Sequence, residues 1–208
     1  KDQYENTVTN YAGTIHFTSS DLNAVLPADS NLVSGTVSLT ATFKTSGSQS
    51  ITATDTVTST ITGTSAMVVV VPALSGANSF AISAASSTQA GSSFSITITA
   101  QDLYSNIVSD YTGTVHFASS DSKAILPSDS TLISGTGTFT VTLKTTGSQT
   151  ITATDTGQPL ITGTTSVLVT ADASSTQLVL TAPTSATAGS SFPITVTAKD
   201  QFGNIVTD

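Results

Sequence analysis

The chain has 208 residues, 38% hydrophobic and only 9% charged, with no Cys, no Trp and no Arg. Its net charge of −8, from 13 acids against 5 Lys, excludes a nucleic-acid partner, because phosphate-backbone affinity rests on clustered Lys and Arg. The missing Cys excludes disulfides, Cys-ligated zinc and Cys nucleophiles, and the longest apolar run, Ala66–Val71, is strand-length, so no membrane insertion is expected.

In chain order, the opening Lys1-Asp2-Gln3-Tyr4 carries no apolar leader run. The chain is therefore expected to be a mature product or an excerpt. The stretch Tyr11-Ala-Gly-Thr-Ile-His-Phe17 then recurs as Tyr111-Thr-Gly-Thr-Val-His-Phe117. Residues 11–70 align on 111–170 without a gap, with 35 identities in 60. Phe80–Asp110 aligns on Leu178–Asp208 at an offset of 98. A period of about 98–100 residues suits a β-sandwich module better than a solenoid unit.

Within the complete copy the pattern predicts seven strands, near 79–84, 93–101, 113–119, 130–134, 136–144, 148–155 and 162–170. Strict alternation carries this reading: in Phe94-Ser-Ile-Thr-Ile-Thr-Ala100 every even position is apolar and every odd one is Ser or Thr. Period two means one buried face and one wet face. Thr suits the wet face, being β-branched and still hydrated. That accounts for 42 Thr and 33 Ser. The turns fall at Gln89–Gly91, Tyr104–Asn106, Leu126–Asp129, Thr146-Gly147 and Gly157–Pro159. The fold class is all-β: tandem immunoglobulin-like sandwiches of about seven strands per module.

The module boundaries follow. Residues 73–171 form a complete module, residues 1–72 lack their first two strands, and residues 172–208 are the first two strands of a third copy. Missing strands leave exposed edges and an open core. Either the chain is a window on a longer array, or strands from a neighbour complete the ends, a known recognition mode. Residues 1–10 and 199–208 would then be duplicate loops, which favours the longer array.

The repeated stretches Ala198-Lys-Asp-Gln-Phe-Gly-Asn204, Tyr111–Phe117 and Gly147-Ser-Gln-Thr-Ile-Thr-Ala-Thr-Asp155 resemble bacterial Ig-like tandem repeats. These are similar to the invasin/intimin-type and filamin-like modules of large bacterial surface proteins. The resemblance covers essentially the whole chain. It implies an extracellular or cell-surface stalk, adhesin shaft, surface-layer component or fibre subunit, or a spacer between catalytic domains. In the Asp-x-x-Gly-Asn turn, Gly203 is replaced by Ser105 and Glu5 in the other copies, so a positive φ is not expected in every copy.

Few residues suggest chemistry. His16 and His116 face away from the inward Ile15, Phe17, Val115 and Phe117, so surface packing is expected. Ser19, Ser20 and Asp21 follow His16, but closeness along a strand does not make a catalytic triad. One His per module falls short of a zinc site, and no enzyme activity is expected. Asp102, Asn106 and Asp110 recur as Asp2, Asn6, Asn10 and as Asp200, Asn204, Asp208. They are the candidate calcium ligands, since Ca²⁺ takes about six to eight oxygens. The same residues form Asx turns, and the spacing lacks the dense Asp-x-Asp-x-Asp of calcium loops, so the turn reading is preferred. Lys44 and Lys144 fall out of the inward phase, which disfavours an isopeptide crosslink, and Lys1 and Lys199 become Gln101 in the complete copy. Tyr4, Tyr104 and Phe202, in the loop after the second strand, are the candidate binding residues for a glycan or a host or cell-surface protein. The alternative is that they plug the end of the sandwich. The expected partners are neighbouring copies of the same repeat or chain.

Overall fold

A computed structural model describes residues 1–72, 76–174 and 176–207. Ala73, the expected start of the complete module, and Asp208 lie outside the described residues. The chain divides into two compact units, Lys1–Leu74 with Tyr104–Asn106, and Ser75–Leu103 with Ile107–Asp208. The described residues contain strands and turns and no helix.

Among the described residues the first unit has six strands: β1 Thr14–Ser19, β2 Ser30–Asn31, β3 Gly47–Gln49, β4 Ile51–Asp55, β5 Thr62–Thr64 and β6 Val68–Val70. Four of them form an antiparallel sheet in the order β2-β1-β4-β5, and β3 pairs separately with β6. Ile15 stands opposite Asp55 and Phe17 opposite Ala53.

The second unit continues with β7 Ser79–Ser83, β8 Ser87–Gln89, β9 Ser93–Gln101, β10 Thr114–Ser119, β11 Ser130–Thr131, β12 Thr136–Thr142, β13 Gly147–Asp155 and β14 Thr162–Thr170. A last hairpin is made of β15 Gln177–Thr181 and β16 Thr195–Lys199. Two sheets face each other, in the orders β12-β9-β7 and β11-β10-β13-β14-β8. The first stretch of the module serves both sheets: β7 pairs antiparallel with β9, then β8 crosses over and pairs parallel with β14. This two-sheet arrangement is an immunoglobulin-like sandwich. The short polar β8 is one strand more than the sequence pattern shows.

The alternation places the core. Ile96, Ile98, Val115, Val141, Leu143, Ile151 and Val167 are fully buried between the sheets. Phe80 meets Tyr111 edge-on at 5.6 Å, and Phe117 meets Phe139 at 4.8 Å. The outward Thr residues pair across strands, Thr152 with Thr164 at 3.0 Å and Thr154 with Thr162 at 3.1 Å. Such cross-strand hydroxyl pairs add to sheet stability where unpaired charges would not.

The first unit repeats these residues with a different outcome. Residues 36–42 match β12 but form no strand, because among the described residues no strand of this unit matches β9. Ile61, Met67 and Val69 are 48%, 61% and 73% exposed, whereas Ile161, Val167 and Val169 are at most 5% exposed. Full burial of such a side chain contributes about 1.5–3 kcal/mol, so the open unit forgoes several kcal/mol.

Candidate functional site

The polar groups of this chain converge at turns between strands. In the second unit Asp121 is 3% exposed and follows β10. Its Oδ2 accepts from the backbone N–H of Lys144 at 2.5 Å and of Thr145 at 2.9 Å. Its Oδ1 accepts from the Thr145 hydroxyl at 2.7 Å and from Lys123 N–H at 3.0 Å. Burial works against the ionised carboxylate, but these donors outweigh it and hold Asp121 below the usual range. Asp21 holds Lys44 and Thr45 in the same way in the first unit. Asp155 is also held low against the cost of burial, by the Tyr111 hydroxyl and the N–H groups of Gln158 and Gly157.

The turn held by Asp121 is in turn a docking point. The loop after β16 begins with Asp200, which is 1% exposed. Its carboxylate accepts from the N–H of Phe202 at 2.9 Å, of Asn204 at 2.8 Å and of Asp172 at 3.1 Å, and from Asn204 Nδ2 at 2.8 Å. Asn204 then reaches the turn: Nδ2 donates to Lys144 O at 2.7 Å and Oδ1 accepts from Thr146 N–H at 3.1 Å. Lys123 Nζ donates to Phe202 O at 2.7 Å, and Lys144 Nζ lies 5.9 Å above the Phe202 ring. That distance is within cation–π range. The ring also covers Gly91, where a Cβ would come within 2.4 Å of it. In the first unit Asn106 makes the same two bonds, from Nδ2 to Lys44 O at 2.8 Å and to Oδ1 from Ser46 N–H at 2.8 Å, and Lys44 lies over Tyr104.

The candidate residues are placed as follows. The oxygens of Asp200 and Asn204 face N–H donors and act as turn acceptors. Asp102 and Asn106 are buried and Asp110 is exposed. Among the described residues no three or more His, Cys, Asp or Glu side chains converge as metal ligands would. Tyr4 is 75% exposed and Tyr104 44%, while Phe202 is packed against the sandwich. His16 and His116 are exposed and bond Asp29 and Asp129 at 2.7 and 2.8 Å. Ser19 donates to Ser50 O, and Asp21 serves backbone N–H groups, so Ser19, His16 and Asp21 form no relay.

One expectation is corrected. The Asp-x-x-Gly-Asn turn takes a positive φ in all three copies: 88° at Gly203, 66° at Ser105 and 70° at Glu5. The bonds of the leading Asp impose it: Asp2 accepts from Tyr4 N–H at 2.9 Å and Asn6 N–H at 3.0 Å. That ladder overrides the preference of Ser and Glu for negative φ. The anchoring roles of Asp21, Asp121 and Asn204 were missed in the sequence, though Asp21 and Asp121 recur together with Lys44-Thr45 and Lys144-Thr145.

The modules are immunoglobulin-like. No family model matches the chain, and no curated protein does. Among solved structures the chain is similar to FdeC, an Escherichia coli adhesin, at 22% identity and a TM-score of 0.44, covering 98% of this chain and 67% of that one. It is similar to invasin, a bacterial integrin-binding protein, at 18% identity and a TM-score of 0.42, covering 94% and 41%. A glycosyl hydrolase family 2 member from Bacteroides cellulosilyticus is matched at 12% identity and a TM-score of 0.39, over 60% of this chain and 17% of that enzyme. The chain thus spans a small part of the glycosyl hydrolase, under half of the invasin structure and about two thirds of the FdeC structure.

Proposed function

We propose that the chain is a structural repeat segment of an extracellular bacterial or archaeal fibre, stalk or adhesin shaft. The observation that carries this is the docking of one repeat's loop on the turn of the repeat before it. Through Asn204, Phe202, Lys123 and Lys144, the hairpin that opens the third copy is bonded to the second module. A shaft needs such a tie at every joint, and solenoid-like stability is a sum of module and junction terms. The outward faces of both units carry paired Thr hydroxyls, which suits prolonged exposure to solvent.

Asn204→Ala tests the tie. It removes both bonds to the turn and leaves Lys144 O and Thr146 N–H without that partner. A loss of about 1–3 kcal/mol is expected. Hydrogen exchange should quicken in β15 and β16 and stay unchanged in β9 and β13. Unchanged exchange in the hairpin would remove the support for a built junction. The exposure of Tyr4 favours a second reading, a glycan- or protein-binding module. Glycan or cell-surface binding abolished by Tyr4→Ala would establish it.

A further inference from the structure

Each of the two facing sheets in the second unit has two edge strands. β11, β8 and β7 are two, three and five residues long, while β12 has seven. Short edges offer little to a second chain. The edge of β12 is long, and its sequence Thr136-Gly-Thr-Phe-Thr-Val-Thr142 carries no charge and no proline. Segments rich in β-formers, without charge or proline, are the ones that pair between chains. Yet this edge is not bare. Ile125 and Thr142 exchange N–H to O bonds of 2.8 and 3.0 Å, and Ile133 and Thr136 exchange bonds of 3.0 and 3.1 Å.

Backbone parity shows what these two bridges cover. Gly135 O and Leu143 O accept from the N–H groups of Ala100 and Gly91, so odd residues face β9 and the turn before it. The even residues Thr136, Thr138, Thr140 and Thr142 face the outer edge. The bridges occupy the first and last of these. Thr138 and Thr140 take no backbone partner on that side among the described residues. An added strand could engage only those two, about 7 Å apart at the usual strand rise. Burial does not account for the bridging residues, because Ile125 and Ile133 are 56% and 79% exposed. The first unit has matching bridges, Val25 with Thr42 and Val33 with Thr36, and its Val25 and Val33 are 53% and 74% exposed. All four are β-branched, the type that holds an extended backbone.

We propose that the Ile125 and Ile133 bridges are clamps that close a latent self-association edge, and that the partner they exclude is β12 of a second copy of this chain. Two β12 edges are the same surface, so they can pair antiparallel about a twofold axis. With both clamps in place, an axis at Phe139 sets Thr138 against Thr140 of the second copy. It also sets Thr142, held by Ile125, against Thr136 of the second copy, held by Ile133. The bridging residues stand where that pair would form. With Ile125 released, the axis can shift to Thr140. Thr138 then pairs with Thr142 of the second copy, Thr140 with Thr140 and Thr142 with Thr138. The inference goes beyond the shaft reading and does not depend on it, since any chain with this edge needs the same guard.

The test is light scattering on the full chain over a concentration series, with hydrogen exchange as a check on the fold. Ile125→Pro removes the N–H that reaches Thr142 O. Thr138→Pro removes an outward N–H and leaves the bonds to β9 in place, as a proline on an edge strand can. The wild type sets the baseline. Ile125→Pro should raise the mass at high concentration about twofold over that baseline, the value for a twofold dimer. Exchange at Thr138 and Thr140 should slow as it does so. Adding Thr138→Pro to Ile125→Pro should restore the wild-type mass. Where exchange in β9 and β13 shows that the proline has unfolded the module, Ile125→Gly serves as the milder release, with the same expected rise and the same reversal. A folded Ile125 variant that associates no more than the wild type overturns the inference. So does association that Thr138→Pro leaves intact.

Discussion

Gly163 and Gly63 occupy the same repeat position in two different surroundings, and this makes a controlled experiment. Gly163→Ala places a Cβ 2.0 Å from Phe80 O and 2.8 Å from its carbonyl carbon. Both atoms are backbone, so β7 must withdraw until that contact reaches at least 3.4 Å. A withdrawal of that size also disturbs the edge-on contact of Phe80 with Tyr111. Overpacking of this kind costs about 1–3 kcal/mol, and the upper half applies here because a strand must move. For a module of this size each kcal/mol lowers Tm by roughly 4–8 °C, so a fall of about 10–20 °C is expected. Gly63→Ala meets nothing and should change stability by no more than about 0.5 kcal/mol. Calorimetry of both variants in dilute solution makes the comparison. Equal effects, or a silent Gly163→Ala, would refute the account of why the two units differ.

Two further outcomes follow from the turns. Asp121, Asp155 and Asp200 are all held below their unfolded pKa near 4. Their contribution is complete above that value and is lost as pH falls through it toward the lower folded value. Tm should therefore be level from about pH 7 to 5 and drop below about pH 4, and Asp121→Asn should give a lower plateau with a shallower acid fall in the same titration. Ser134 takes φ 51° ahead of Gly135 at 73°, in the tight turn where Ile133 and Thr136 bridge. A non-glycine residue forgoes about 1–2 kcal/mol in that region. Ser134→Asn, which suits a type I′ turn, should raise stability by about 0.5–1 kcal/mol in urea denaturation.

Much of the fold was legible because alternation depends only on which residues face inward. Phe94–Ala100 and Thr150–Thr154 read as strands, and β9 and β13 run through them. The parallel strand β8 was not legible. Ser87-Thr-Gln89 is short and polar, and only its pairing with Leu168–Thr170 makes it a strand. Residues 36–42 teach the converse. Val37, Leu39 and Ala41 alternate as well as the matching residues of β12, yet they form no strand, because a strand needs a partner that local sequence does not show. The site was less legible still. Asp121 and Asn204 act across 23 and 60 residues, on Lys144 N–H and O. Their roles depend on which turn lies opposite, and turn residues look alike whether they close their own loop or hold another.

The central claim is that the first unit is open at the place where β7 and β9 close the second. Hydrogen exchange of residues 36–42, compared with that of β12, tests this most directly. The account predicts fast exchange at 36–42 under conditions in which the matching strand β12 is protected. Protection equal to that of β12 in the dilute monomer would contradict it.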